Sequence, residues 1–455
     1  MKAIILAAGK GKRMKSSLQK VLHPILGKTV VEHAVAAAIE AGAAEGDITV
    51  VVGADGDQIK SILAKAHPAL NFAIQDPPKG TGHAAECGMG KIDDADDVVI
   101  LCGDTPLITG AFLKELASFF HGQKAEAVVA AAYNQNPGDL GRVYATEGGD
   151  FIEIIEAKDL APDAAHTDFI NTGIYMFKGH ALRAALGKVT NNNNNQGEYY
   201  ITDVPKIIKE SGGIVKALKT HESMATFSGI NTQVQLAEAA AHMRQRINQR
   251  HMENGVRMLD PATVYIDATV KISQDTVIYP GAVIEGKSTI EEGAIVGPGT
   301  HMKDTTLGKC AHIRQSVTDG AKIGAHSTVG PFAYLRPGTA IGEHCRVGNF
   351  VEIKNATLGN DTKMAHLAYI GDADVGNNVN YSCGAITANY DGKNKFRTTI
   401  KDGAFIGSNA NLVAPLTIGE GAFVAAGSTI TKDLPDGALG IGRARQEERA
   451  NWKRP

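Results

Sequence analysis

Apolar residues in the first half of the chain fall in short runs separated by helical patterns. "KAIILAAG", "DITVVVG" and "DVVILCGD" are compact and β-branched, whereas "VVEHAVAAAIEAG" and "DQIKSILAKA" space their apolar positions as helices do. Strands separated by helices of ten or more residues predict a mostly parallel sheet covered on both faces, an α/β domain over residues 1–231. Over 232–252, "TQVQLAEAAAHMRQRINQRHM" contains no Gly or Pro, and Leu236, Ala240, Met243 and Ile247 recur at helical spacing. That segment predicts a connecting helix with one apolar stripe.

In the remainder, 253–455, the period changes to six. Aliphatics stand at Ile266, Ile272, Ile278, Ile284, Ile290, Val296 and Met302, again from Ile323 to Ile353, and again from Ile400 to Ile430. Many are followed by Gly, as in "IGAHST" and "VGNFVE". Very short strands that each point one aliphatic inward, with a small residue easing the corner, predict a parallel β-helix. Three hexads close one coil, so at roughly 18 residues per coil the segment supplies about nine coils.

The frame slips near "TKMAHLAYIG", residues 362–371. After Ile353 the aliphatics come one residue early, at Leu358, Met364 and Ile370, and slip again at Val375. "ITANYDGKNKFRTT", 386–399, fits no hexad and reads as a loop extruded from the coil, a common place for binding groups on a rigid solenoid. His366, two positions after Met364, is expected to point outward, with Tyr369, Asn380, Asn389 and Tyr390 nearby. Arg336 and Lys354, 18 residues apart, are expected to stack one coil apart as a cationic site.

Composition narrows the partners. With a formal net charge of −3 over 455 residues and no block of like charges, neither a nucleic-acid groove nor an anionic membrane surface is indicated. Five dispersed cysteines without a CxxC pair argue against a disulfide framework and a thiolate zinc site, and point to a reducing cytoplasm. The apolar run at the N-terminus is too short for a signal-peptide core or a membrane span. Small-molecule substrates, no nucleic acid and no membrane insertion are therefore expected.

The chemistry concentrates at strand ends. "IILAAGKGKRM" sets Gly9 and Gly11 after a strand with Arg13 and Lys20 following, a phosphate-binding arrangement at the carboxyl edge of a parallel sheet. "VILCGDTPLI" ends a strand on Asp104 at that same edge, where Mg²⁺ would bridge carboxylate and phosphate. "IQDPPKGTGHA" offers Gly80, Thr81 and Gly82 in a strand-to-helix turn, with the Gln75 amide suited to a base edge.

"LAAGKGKRM…QKVLHPILGK", "QDPPKGTGHA", "LCGDTPL", "GRVY", "IIEAKD", "FINTGIY" and "QGEYYITD" resemble the sugar-nucleotide pyrophosphorylase family. With the hexad repeat they resemble the bacterial enzymes that join an N-acetylglucosamine-1-phosphate uridyltransferase to a glucosamine-1-phosphate acetyltransferase. The resemblance implies a Rossmann-like nucleotidyltransferase domain, a linker helix and a left-handed β-helix that trimerises. It implies that Leu6, Ala7, Ala8, Gly9, Gln75, Gly80 and Thr81 hold the uridine of UTP, with Cys102 and Gly103 beside them. Arg13 and Lys20 would neutralise the triphosphate, Asp104 and Asn231 would hold Mg²⁺, and Gly141, Glu156 and Asn171 would grip the sugar. His366 would be the general base for acetyl transfer from acetyl-CoA. Arg336, Lys354, Tyr369 and Asn380 would hold the sugar phosphate, Asn389 and Tyr390 would complete the pocket, and Cys383, Ser408, Ala426 and Arg443 would meet the coenzyme, at sites between adjacent chains of a homotrimer.

Three departures stand out: Gln19 where Pro commonly precedes the lysine, Cys383 where Ala is frequent, and "GIGRARQ" around Arg443. Two other readings stay open on sequence. One is a single-function hexose-1-phosphate nucleotidylyltransferase whose β-helix only oligomerises or regulates. The other is a non-enzymatic subunit of the same layout, which would have no need of Arg13, Lys20 and Asp104.

Overall fold

The computed structural model describes residues 1–9, 11–161, 165–191 and 197–454. The chain divides into two compact units, 1–243 and 244–455. The boundary falls inside the expected connecting helix, which runs Gln233–Glu253.

In the first unit, strands β1 (Lys2–Leu6), β2 (Ile48–Gly53), β3 (Asn71–Gln75) and β4 (Asp97–Cys102) pair in parallel in the order β4-β1-β2-β3. The sheet continues beyond β4 with β5 (Ala127–Tyr133), β6 (Arg142–Ala145), β7 (Phe151–Ile155), β8 (Phe169–Lys178) and β9 (Val215–Thr220). Here the expected parallel pattern breaks: β8 runs antiparallel to both β4 and β5, and β6 and β7 form an antiparallel pair beside it.

Side-chain alternation explains why both faces are covered. Ala3, Ile5, Val50, Val52, Val99 and Leu101 pack on one face with α1 (Val30–Glu40), α2 (Asp57–Ala66) and α4 (Gly110–Gly122). Ile4, Val51, Val98 and Ile100 pack on the other with α3 (Thr81–Cys87), α5 (Gly179–Leu186) and α6 (Val204–Glu210). Strands with two apolar faces read as continuous runs, as "ITVVVG" does. Helix α1 begins on a reciprocal cap, Glu32 N–H to Thr29 Oγ1 at 3.4 Å and Thr29 N–H to Glu32 Oε2 at 2.6 Å, which satisfies two otherwise orphaned donors. Among the described residues no helix is long and apolar enough to cross a membrane.

The second unit is a parallel β-helix. Its strands fall into three columns of inward residues, for example Ile278, Val296, Ile313, Val329, Val347, Met364, Tyr381, Ile406 and Val424, each paired with the next one coil on. The hexad aliphatics are buried as expected except Ile272, which is half-buried. One column stacks eleven strands among the described residues, more rungs than the hexad count predicted.

Two irregular regions interrupt it. Between Met302 and Ile323 the inward positions pass to Leu307, Ile313 and Thr318, and Thr318 is tolerated inside because its hydroxyl bonds Thr305 Oγ1 at 2.9 Å, where the Thr305 proton is already given to Lys303 O. In the second region Leu358, Met364, Ile370 and Val375 are all buried, as the early frame implied. The expected loop 386–399 is shorter than predicted. Ile386–Ala388 and Thr398–Ile400 are strands, so only 389–397 leaves the coil; Thr387 still points inward because its hydroxyl bonds both Gly371 N and O. At the start of the unit, the buried Asn248 amide donates to Pro261 O at 2.8 Å and Val264 O at 3.0 Å, tying the helix end to the first coil.

Candidate active sites

The carboxyl ends of β1 and β4 lie side by side, with Leu6 paired to Cys102 and Gly103 N–H bonded to Leu6 O. Leu6, Ala7, Ala8 and Gly9 thus share one edge with Cys102, Gly103 and Asp104. Gly9 has open space where a side chain would project. Gly11 does not: a Cβ there would meet Lys20 Cβ at 2.5 Å, and its φ of 59° is left-handed. The missing side chain lets Lys20 fold back into the edge. Lys20 is buried, and its Nζ lies 2.5 Å from Asp104 Oδ2 and 3.1 Å from Asn231 Oδ1. Gln19 replaces the stiffness of a proline by a bond, donating from Nε2 to Asp55 O at 2.7 Å. Arg13 sits exposed on the turn Lys12–Met14 and forms no ion pair among the described residues, so the geometry does not draw it into this cluster.

A carboxylate and an amide oxygen converge here on one cation. That donor set suits Mg²⁺, which takes one or two protein oxygens and completes its shell with water and substrate phosphates. No group of three or more His, Cys, Asp or Glu able to cage a metal occurs among the described residues.

Gln75 closes β3 and is buried, and its Nε2 donates to Gly80 O at 2.8 Å. Gly80 needs its φ of +114°, and a Cβ there would strike Tyr199 O at 2.5 Å. Gly82 N–H bonds Tyr199 O and Thr81 Oγ1 accepts from Ile201 N–H, so residues 199–201 clamp the turn. Gly141, Glu156 and Asn171 also meet: Asn171 N–H bonds Gly141 O, and a Cβ on Gly141 would lie 3.2 Å from Glu156 Oε2. Burial, with Asp159 adding to it, pushes the Glu156 carboxyl above its usual range. Burial likewise pushes the Cys102 thiol up to about 12.

On the β-helix, His366 and Leu367 are exposed with φ of 63° and 57°, two consecutive left-handed residues within the Met364 to Ile370 step, which keeps the hexad spacing, whereas the short steps from Ile353 to Leu358 and from Ile370 to Val375 carry left-handed Asn355 and Asp372. One corner then carries an unbroken backbone ladder. His366 N–H bonds Asn349 O, Gly384 N–H bonds His366 O, Asn409 N–H bonds Cys383 O and Gly427 N–H bonds Ser408 O, while the Arg443 guanidinium donates to Ala426 O at 3.0 Å. His366, Cys383, Ser408, Ala426 and Arg443 are therefore aligned, and the altered segment around Arg443 still seats it on the ladder.

Arg336 and Lys354 follow the paired Leu335 and Ile353 on an adjacent face, while Tyr369 pairs with Glu352 and brings its hydroxyl over Gly371, the partner of Lys354 in the next coil. Beneath them lies Asp372, which accepts from Asn355 at 2.6 Å and from Asn389. Burial works against its charge, but those bonds and the nearby Lys354 and Lys395 hold it below the usual carboxylate range. Tyr390 starts the extruded loop, bridged to Lys395 across a turn whose Asp391 caps Lys393 and Asn394. Asn380 is not brought to this group: it stands on the strand Asn380–Tyr381, in the sheet of the other face.

A model of a MobA-like NTP transferase domain matches residues 3–195, and one of the bacterial transferase hexapeptide matches 320–355 and 397–432. Bifunctional protein GlmU of Geobacillus sp. (strain WCH70) is 47% identical over 99% of this chain and 97% of its own length. GlmU of Shouchella clausii is 46% identical over 99% and 98%, and GlmU of Clostridioides difficile 44% identical over 99% and 97%. The chain belongs to the GlmU family. It is a bifunctional transferase in which a nucleotidyltransferase domain precedes a left-handed β-helix acyltransferase domain, and its function is the two-step synthesis of UDP-N-acetylglucosamine. The single-function and non-enzymatic readings fall away.

Within this GlmU chain several site residues escaped the sequence. Lys395 of the extruded loop stands beside Lys354 and holds its ammonium below the usual lysine range, with Arg336 adding to the effect. Asp372 and Glu352 neighbour the same cations, Glu352 Oε1 accepting from Arg336 at 2.9 Å. Thr202, a hydrogen-bond partner of Glu156, lies in "QGEYYITD", a motif that carries the family likeness without singling out this threonine. For Lys395 the only available signal was its position in a stretch that broke the period.

Proposed function

We propose that uridylyl transfer occurs at the β1/β4 edge. The backbone from Leu6 to Gly9, with Gln75, Gly80 and Thr81, binds UTP, while Gly141, Glu156 and Asn171 orient N-acetylglucosamine-1-phosphate. The sugar phosphate oxygen attacks the α-phosphorus in line and pyrophosphate leaves, so the protein contributes positioning and charge rather than a nucleophile. Lys20 offsets the phosphate charge, and Arg13, exposed on the adjoining turn, takes that role on the family likeness alone. Asp104 and Asn231 would hold Mg²⁺, which supplies charge neutralisation on the phosphates. The convergence of Lys20, Asp104 and Asn231 carries this reading.

Acetyl transfer belongs to the β-helix. The 2-amine of glucosamine-1-phosphate attacks the thioester carbon of acetyl-CoA, His366 takes the amine proton, and the thiol of coenzyme A leaves. An imidazole suits proton transfer near neutrality. Arg336, Lys354, Lys395 and Tyr369 grip the sugar phosphate, with Asn389 and Tyr390 closing the pocket. The corner ladder from His366 to Arg443 spans four coils, about 19 Å at the usual strand spacing, a length that suits an extended coenzyme. A homotrimer is part of the reading, supported by the assignment of Asn380 and Tyr369 to different faces and by the exposed Phe332, Phe350 and Leu367 column between them. Cytoplasmic residence is supported by these substrates and by five free cysteines.

The decisive experiment supplies glucosamine-1-phosphate, acetyl-CoA, UTP and Mg²⁺ to the full chain and omits each in turn. His366→Ala is expected to lower acetyl transfer about 10²–10⁴-fold while sparing uridylyl transfer. A residual acetyl transfer within about tenfold of the parent would remove His366 as the base, and an active acetyltransferase monomer by light scattering would remove the trimer.

A further inference from the structure

Gln75 has two amide N–H donors and one oxygen acceptor, and its surroundings consume both donors. Nε2 lies 2.8 Å from Gly80 O, which accepts only, so the nitrogen and not the oxygen must face that carbonyl. The same Nε2 lies 3.3 Å from His83 Nδ1. For that contact to be a hydrogen bond, Nδ1 accepts and the imidazole proton sits on Nε2. One helical turn on, Cys87 Sγ lies 3.7 Å from His83 Nε2 and can accept that proton's bond. The chain Cys87, His83, Gln75, Gly80 is therefore self-consistent in only one direction, with every donor N–H meeting an acceptor.

We infer that His83 is a positioning residue for base selection. Together with Gly80 it locks the Gln75 amide so that only Oε1 faces the nucleotide. An oxygen acceptor accepts from the ring N3–H of uracil, whereas cytosine presents a bare ring nitrogen at that edge. Discrimination of this kind is steep because the mismatched pair leaves buried polar groups unpaired. His83 acts through Gln75 and touches no substrate. The inference rests on the proposed role of Gln75 at the base.

The test compares kcat/KM for UTP and CTP in the full-length chain, with urea unfolding of each variant beside the parent as a check on folding. His83→Leu, which keeps volume but removes the acceptor, is expected to lower the UTP:CTP ratio about fivefold or more, the size of one lost hydrogen bond. His83→Asn, whose side-chain oxygen stands near the place of Nδ1, is expected to hold the ratio within about twofold of the parent, less than one hydrogen bond. Cys87→Ala, which only frees the tautomer, is expected to move the ratio in the same direction by less, and it carries the test if His83→Leu fails to fold. An unchanged ratio in both His83→Leu and Cys87→Ala, or an equal fall in His83→Asn and His83→Leu, overturns the relay. Gln75→Ala separates the two levels: an unchanged ratio there defeats the base-reading role itself, whereas a collapsed ratio there beside an unchanged one in His83→Leu defeats only the relay.

Discussion

Lys20 Nζ reaches Asp104 Oδ2 across 84 positions of sequence at 2.5 Å, and a glycine 9 residues before Lys20 leaves the space it needs. The ammonium stands between the carboxylate and the Asn231 amide, so the same pocket can answer phosphate with a side-chain cation and with a metal.

Asp104→Asn and Lys20→Met are each expected to reduce uridylyl transfer at least about 100-fold, the scale of losing one preorganised charge in an active site. Acetyl transfer should be untouched. Pyrophosphate release followed across a Mg²⁺ titration checks this. A parental rate in Asp104→Asn at saturating metal would dismiss Asp104 as a ligand.

Lys395 depresses Lys354, so the charged form of Lys354 is lost at lower pH than in an ordinary lysine. Sugar-phosphate binding should weaken as pH rises through that lowered value. Lys395→Ala removes one cation and relieves the other. It is expected to raise KM for glucosamine-1-phosphate about tenfold, near the low end for bonds to charged groups, while shifting the alkaline limb of the KM profile upward. A limb that stays in place would contradict the coupling.

Cys383 is exposed at the corner proposed for the coenzyme, whereas burial raises Cys102 and Cys87 and keeps them as thiols. A maleimide should therefore abolish acetyl transfer before uridylyl transfer, with acetyl-CoA protecting. Cys383→Ala should remain active and resist the reagent. If Cys383→Ala is inactivated as fast as the parent, the reactive thiol lies elsewhere, with exposed Cys310 the first to examine.

His251 closes the connecting helix with its Nε2 buried and without a partner among the described residues, and burial, aided by Arg250, lowers it to about 4. Because the unfolded chain takes up a proton near pH 6.5 and the folded one resists until about 4, the unfolded state binds more protons in that window. Stability should be full above it and fall as pH drops through it. Urea unfolding of His251→Leu beside the parent, from pH 7 to about 4, should give a flatter profile for the variant in the window set by these two values. Parallel profiles would refute the assignment.

Much of the architecture was legible because each layer has its own period. Ile353 and Ile370 announced the coil, and the short steps to Leu358 and to Val375 bracketed the stretch where His366 stands. Arg336 and Lys354 could be matched from spacing because a solenoid stacks residues one coil apart. Lys395 could not, since its position depends on how a hairpin returns, and residues 386–388 and 398–399 were absorbed into the predicted loop because Thr387 and Thr398 hide buried positions behind polar side chains.

By itself the sequence determined the two grammars, the connecting helix, the strand-end glycines and the family likeness, since periodicity and motif order are local properties of the chain. Tertiary structure alone decided that Lys20 meets Asn231 across 211 positions, that Asp372 lies beneath the cations, that Asn380 stands on another face, and that His83 steers Gln75. Those relations depend on sheet order, coil register and the direction of single hydrogen bonds. No period along the chain encodes them.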